Sequence, residues 1–313
     1  MFSFCIGRYG VPLGQLLKIF LNLVFNIPKT WTVNMETVVF NIRLPRILLG
    51  CLVGGCLSVA GASYQGVFKN PMAAPDILGA SSGACFGAAI AIYFGASSSI
   101  ITASAFAFSL LTVCLVYLIG QRAKGNRLLN LILAGIMISS LFSAATSYIK
   151  LVADPNNVLP QITYWLMGSL AGAKMRDVFF VIIPMALGLV PLFLLRWRIN
   201  LLTLGDDEAR TMGINASALR FVVVICATLI TAASVSVSGM IGWVGLVIPH
   251  LSRRLVGNNY KFLLPASILI GAAFMLVVDN VSRNLLATEI PIGILTAFVG
   301  APFFIYLIMR KKG

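Results

Sequence analysis

Between Arg43 and Gly95 a small residue recurs at every fourth position, first as Gly50, Gly54, Ser58, Ala62 and Gly66, then as Gly79, Gly83, Gly87, Ala91 and Gly95. That spacing lines each series along one helix face, where absent side chains let a second helix backbone come close. In lipid no hydrophobic force drives helix against helix, so close contact of this kind is what holds spans together. A break bounded by Pro71 and Pro75 separates the two series. The pattern predicts an all-α, polytopic membrane bundle.

Composition agrees. The chain is 59% hydrophobic and 10% charged, with a mean hydropathy of +0.97, which leaves too little polar surface to coat a soluble globule. A span needs about 20 mostly apolar residues, and nine stretches read as spans: roughly 45–67, 77–95, 98–119, 128–149, 178–195, 219–238, 240–252, 264–282 and 291–309. Residues 11–27 are interrupted by Gln15, Lys18 and Asn22 and lack the layout of a signal peptide, which predicts an amphipathic helix at the membrane surface.

A net charge of +14 raises a nucleic-acid partner, but the placement of the charges argues against one. Lys69, Arg122, Lys124, Arg127, Arg196, Arg198, Arg210, Arg220, Arg253, Arg254, Lys261, Arg310, Lys311 and Lys312 all fall at one end of successive spans. The remaining nine of 23 basic residues fall at the other. The richer end should be cytoplasmic. Five of six cysteines lie inside apolar spans, with no CxxC pair or Cys/His cluster, and read as small hydrophobes rather than metal ligands.

The longest polar stretch, 196–220, lies at the basic end and contains Gly205, Asp206, Asp207, Glu208, Ala209, Arg210 and Gly213. Acidic residues at its start and glycine at its end predict a short surface helix with a docking role. At the opposite end, Asp154–Asn157 reads as a turn and Gln161–Leu170 as an interfacial helix carrying Tyr164 and Trp165. An echo at an offset of 178, relating Ser58, Val59, Gly61, Pro71 and Gly79 to Ser236, Val237, Gly239, Pro249 and Gly257, suggests duplicated halves.

Ionisable residues are scarce within the spans. A charge at the bilayer centre costs about 2.5–3.5 kcal/mol on insertion scales, so an ion-driven carrier would keep such groups for its work. The sequence displays no mid-span carboxylate, no catalytic Ser/His/Asp set, no HExxH and no GxxxxGK[ST] loop. This disfavours a secondary transporter and a lipid-directed enzyme, and it puts the source of energy in another chain. Ser139, Ser143, Thr146 and Ser147 share one face and are candidates for an uncharged translocation lining, with interhelical bonding or back-bonding to the carbonyl four residues earlier as the alternative. Asp279 and Arg283 stand one turn apart and should pair. Arg43, Arg46 and Arg283 gather at the end opposite the basic one and read as a carboxylate-docking patch. His250, beside Pro249, reads as structural.

Several longer motifs occur in order: RLPR at 43–46, GASYQGVFKNPMAAPDILGASSGA at 61–84, YWLMGSL at 164–170, LGDDEARTMGI at 204–214, SGMIGWVGLVIPHLSRRLVG at 238–257, LLPASILIGAAFMLVVDNVSR at 263–283 and EIPIGILTAFVGAPFF at 289–304. Together the chain resembles the FecCD family, membrane permeases of ABC importers for iron-siderophores, haem, vitamin B12 and related chelates, over roughly residues 36–309. The resemblance implies the vitamin B12 permease-like (type II) fold. It implies a homodimer with its pathway at the subunit interface. Two cytoplasmic ATPase subunits holding ATP and Mg would grip Gly205–Gly213, and this chain would bind no cofactor of its own. An extracytoplasmic binding protein would dock on Arg43, Arg46 and Arg283. The family usually has ten spans; residues 1–42 resemble an extracytoplasmic segment after a first helix, with the permease domain at 43–313, so that helix is expected to be missing here.

Overall fold

The computed structural model describes every residue except 1, 8, 26, 27, 126 and 311–313. Expectations resting on Lys311 and Lys312, or on the side chains of Arg127, Asp206, Asp207 and Arg310, lie outside the described set. Among the described residues all regular structure is helical. Helices α1 (Phe2–Cys5), α2 (Leu13–Phe25) and α3 (Val33–Thr37) precede a π-helical run, Val38–Arg43, which leads into α4 (Leu44–Val67). Then come α5 (Ala80–Tyr93), α6 (Ser98–Arg122), α7 (Arg127–Val152), α8 (Val158–Leu166) and α9 (Met175–Leu204). The chain closes with α10 (Asp206–Thr211), α11 (Ala216–Ser238), α12 (Val244–Val256), α13 (Tyr260–Asn284) and α14 (Ile292–Arg310).

Every expected span has its helix. Six are long and apolar enough to cross a bilayer: the run Val33–Val67, α6, α7, α9, α11 and α13. The other three, α5, α12 and α14, are shorter. Helices α4 and α11 are the most buried and form the centre; α4 packs on α13, α11, α9 and α12, and α11 packs on α9, α6 and α5. These two central helices are the pair related by the offset of 178.

The fourfold glycine spacing is spent on these crossings. Gly54 and Ser58 of α4 lie against Gly271 of α13 so closely that a Cβ on either glycine would strike the other backbone. Gly61 meets the Gly245 backbone of α12 in the same way. On α5, Cβ atoms at Gly83 and Gly87 would sit 2.6 Å from the carbonyl oxygens of Phe108 and Ser104 on α6. Gly79 and Gly95 depart from the expectation. Both lie outside α5 at positive φ, Gly79 as its N-cap and Gly95 beyond its end with open space around it.

The π-helical run has a local cause. Pro45 supplies no N–H, and its ring would press on the carbonyl four residues back. The register widens ahead of it, and the Leu44 amide bonds the Val39 carbonyl, five residues back. Helix α2 buries Leu16 and Ile19 in a small separate core with Val11, Trp31 and Val39, while Leu13, Leu17 and Leu21 stay exposed.

Three boundaries are corrected. Helix α9 runs to Leu204 rather than 195, because Ile199, Leu201 and Leu202 continue its buried face past Arg196 and Arg198. The polar loop expected over 196–220 therefore reduces to α10 and its flanks. Helix α12 starts at Val244 rather than 240, because Trp243 is held at φ 69° in a tight turn closed by a 2.8 Å bond from the Val244 amide to the Gly242 carbonyl. Helix α8 spans 158–166 rather than 161–170, stopped by Gly168 at φ 74°. One cysteine also departs: Cys114 is exposed on α6.

Candidate functional site

At the end of the bundle away from the basic one, α4, α13 and the approach to α14 share an ionic cluster. Arg46 Nε lies 2.8 Å from Asp279 Oδ1, and its Nη2 lies 2.9 Å from Glu289 Oε2. Arg283 Nε lies 3.2 Å from Asp279 Oδ2, the one-turn pair read from the sequence. Arg43 donates to the carbonyls of Phe4 and Tyr9, and Arg283 to the Ser3 carbonyl at 3.4 Å, so the N-terminal turn lies over the cluster. Arg43, Arg46 and Arg283 are 3%, 4% and 8% exposed and Asp279 is 1% exposed. In this chain the three guanidinium groups expected as a docking patch are buried and engaged with internal acceptors. Apart from the Asp279–Arg283 pair, their acceptors lie too far along the chain to be linked by spacing.

The four hydroxyl residues of α7 are also rearranged. Thr146 is buried and donates to the Phe142 carbonyl at 2.8 Å, and Ser147 donates to the Ser143 carbonyl at 2.9 Å. Ser139 is half-buried beside Gly79, and only Ser143 and Ser147 face outward. Their outward face continues through Leu133, Ile136, Met137, Leu141 and Leu151, which leaves α7 the least covered of the long helices.

A cleft of about 840 Å³ within the bundle is lined by none of those four residues. Its walls come from the segment before α5 (Ala74, Pro75, Asp76), from α8 (Thr163, Leu166), from the turn before α12 (Met240–Trp243) and from α14 (Ile294, Phe298, Pro302). Lys150 of α7 also lines it. The segment at 71–79 folds back into the bundle. Pro75 contacts Gly245 beside the Leu57 carbonyl, which lies midway along α4, and Ile77 lies against Gly135 near the middle of α7. This re-entry is why α5 is short. It also carries Asp76 to mid-depth, where its Oδ1 accepts the Ser81 amide at 2.7 Å at the start of α5. Sequence reading missed this carboxylate because a proline-rich break between spans looks like an exposed loop. Trp243 was missed too; Gly300 of α14 leaves room for its indole, which packs 6.0 Å from the Phe304 ring. His250 sits edge-on to Phe303 at 6.2 Å.

At the basic end, α10 stands between α9 and α11. Ala209 is fully buried in the main core, while Glu208, Arg210, Thr211 and Met212 are exposed. Its end is a Schellman turn: the Ile214 amide bonds the Ala209 carbonyl at 3.0 Å and the Gly213 amide bonds the Arg210 carbonyl at 2.9 Å. Gly213 takes φ 77° there, a conformation open to glycine at no steric cost. One inward anchor and a polar outer face make α10 a rigid knob. Gly205 and Gly213 bracket it as the sequence led us to expect. At the other end of the bundle, the Asp154 carboxylate accepts the Asn156 and Asn157 amides and the Asn157 side chain, which hold it below the usual carboxylate range.

A bundle of this kind, with a central cleft, small-residue crossings and an exposed knob at one end, defines a membrane permease. The family model described as the FecCD transport family matches residues 1–310. The molybdate import system permease protein MolB of Haemophilus influenzae is 42% identical over 310 residues, covering 99% of this chain and 91% of that protein. A "probable iron chelatin transport system permease protein" of Helicobacter pylori is 41% identical over 280 residues, covering 90% of this chain and 85% of the relative. Among solved structures, an inward-facing transporter described as of the metal-chelate ABC type superposes with a TM-score of 0.88 at 41% identity, covering 99% of this chain and 94% of that one. The chain belongs to the FecCD transport family. It is the permease component of an ABC importer and a multi-pass protein of the cytoplasmic membrane.

Proposed function

We propose that this permease moves a chelated metal, most simply an iron-siderophore, into the cell, driven by ATP hydrolysed with Mg in two partner subunits. The observation that carries the cargo reading is the cleft. It holds about 840 Å³, is walled mainly by apolar side chains, and carries the carboxylate of Asp76 and the ammonium of Lys150. A bulky chelate brings its own ligands to the metal and needs room and few fixed donors. A small dianion needs converging donors and is repelled by a carboxylate. The second reading, molybdate or tungstate, is favoured by the 42% identity to a molybdate permease.

Two copies pair through the uncovered face of α7, with Ser143 and Ser147 at the joint lining the pathway. Support for pairing is the apolar exposure of that face along the whole helix. The basic end is cytoplasmic by its charge, and the ATPase subunits grip α10 through Glu208 and Arg210. A substrate-binding protein docks at the opposite, extracytoplasmic end. There Arg43, Arg46 and Arg283 act by holding α4, α13 and the N-terminal turn in register. Three guanidinium groups against two carboxylates leave this cluster net positive, which suits an acidic partner.

The cargo reading is checked by expressing the importer in cells stripped of other iron uptake. Accumulation of radio-iron from ferric hydroxamate or catecholate, unaffected by excess molybdate, is expected. Molybdate accumulation that ignores the ferric chelates would transfer the assignment to the oxyanion.

A further inference from the structure

The basic end holds a second opening, a groove of about 440 Å³. Leu195 and Arg198 of α9, Met212 and Ile214 of the turn after α10, and Leu219 and Val222 of α11 form its wall. Arg198 is exposed and is the charged residue of that lining. Away from the basic end the same two helix faces continue without charge. Leu194, Val190 and Leu187 stand one turn apart below Arg198, and Ile225 follows Val222; all are exposed. Trp197, 62% exposed, flanks the mouth.

From this arrangement we infer that the groove is a binding site for an anionic phospholipid, its headgroup on Arg198 and an acyl chain along the exposed apolar faces of α9 and α11 beside it. The dimensions fit. Eleven residues separate Leu187 from Arg198, which at about 1.5 Å per residue is about 16 Å, close to the hydrocarbon depth of one leaflet. A guanidinium above an apolar helix face matches a phosphate above a chain, and an exposed tryptophan marks the headgroup level. A soluble protein partner would have no use for the exposed leucines and valine that continue along α9 for a leaflet's depth. The consequence is mechanical. Met212 and Ile214 belong to the turn that ends α10, so a lipid seated there braces that turn from the membrane side.

Trp197 is the reporter. The full-length chain in detergent micelles is titrated with brominated phosphatidylglycerol or brominated phosphatidylcholine, and a Trp197→Phe variant supplies the background of the other tryptophans. Trp197 should be quenched at lower concentrations of the anionic lipid. Arg198→Ala should reduce that preference about fivefold, the weight of one basic residue near an anionic surface, and Arg198→Lys should keep most of it. Equal quenching by both lipids, or a preference that survives Arg198→Ala, overturns the site. Loss of quenching when the complete transporter is assembled also overturns it, since a partner subunit would then cover the groove.

Discussion

Asp279→Ala should be the most damaging single change to the fold, at about 3–5 kcal/mol, the usual loss when one partner of a buried ion pair is removed. Asp279 is 1% exposed and receives Arg46 at 2.8 Å on one oxygen and Arg283 at 3.2 Å on the other. Its removal leaves two guanidinium groups facing each other in a poorly solvated place with only Glu289 nearby. The outer ends of α4 and α13 would then part, and the N-terminal turn bonded to Arg43 and Arg283 would lose its footing. Thermal melting of the purified protein in detergent reads the effect. Combining Asp279→Ala with Arg283→Leu should recover part of the loss, because fewer charges are then stranded. A single variant that melts like the unaltered protein would show that the cluster contributes little to the fold.

Gly213→Val should separate ATP hydrolysis from uptake. Valine at φ 77° costs about 1–2 kcal/mol in the left-handed region, and nothing lies within 4 Å for its side chain to strike. The bundle is therefore expected to assemble while the Schellman turn opens and α10 swings off its Ala209 anchor. With the proposed ATPase subunits in place, hydrolysis should persist and uptake should fall about tenfold or more, the factor equivalent to 1.4 kcal/mol on a barrier. Gly213→Asn should remain close to the unaltered protein, because asparagine tolerates this conformation. Full uptake by the valine variant would remove α10 from the coupling route.

The spans and α10 were legible because each is written locally. Apolar runs give the helices, the fourfold spacing of Gly54 and Ser58 on α4 and of Gly83 and Gly87 on α5 gives tight crossings, and Asp206 to Gly213 carries both ends of a short helix. What stayed hidden depends on distant partners. Arg46 and Asp279 are 233 positions apart, so charge placement revealed which end the arginines occupy but not that they are buried, with Arg46 and Arg283 ion-paired. The segment 71–79 reads as a turn by composition. Only its packing against Gly135 and Gly245 shows that it folds inward and carries Asp76 to mid-depth. Positive φ at Trp243 has no signal in residue type, since a bulky side chain is the least expected occupant of that conformation.

Whether this bundle moves cargo on energy released by nucleotide hydrolysis in companions bound at its basic end is tested by sealing the complete transporter into vesicles with labelled ferric chelate and the binding protein outside. Accumulation should require ATP and Mg on the α10 side and persist when an ionophore collapses every ion gradient. Accumulation driven by a proton or sodium gradient with nucleotide absent would contradict it.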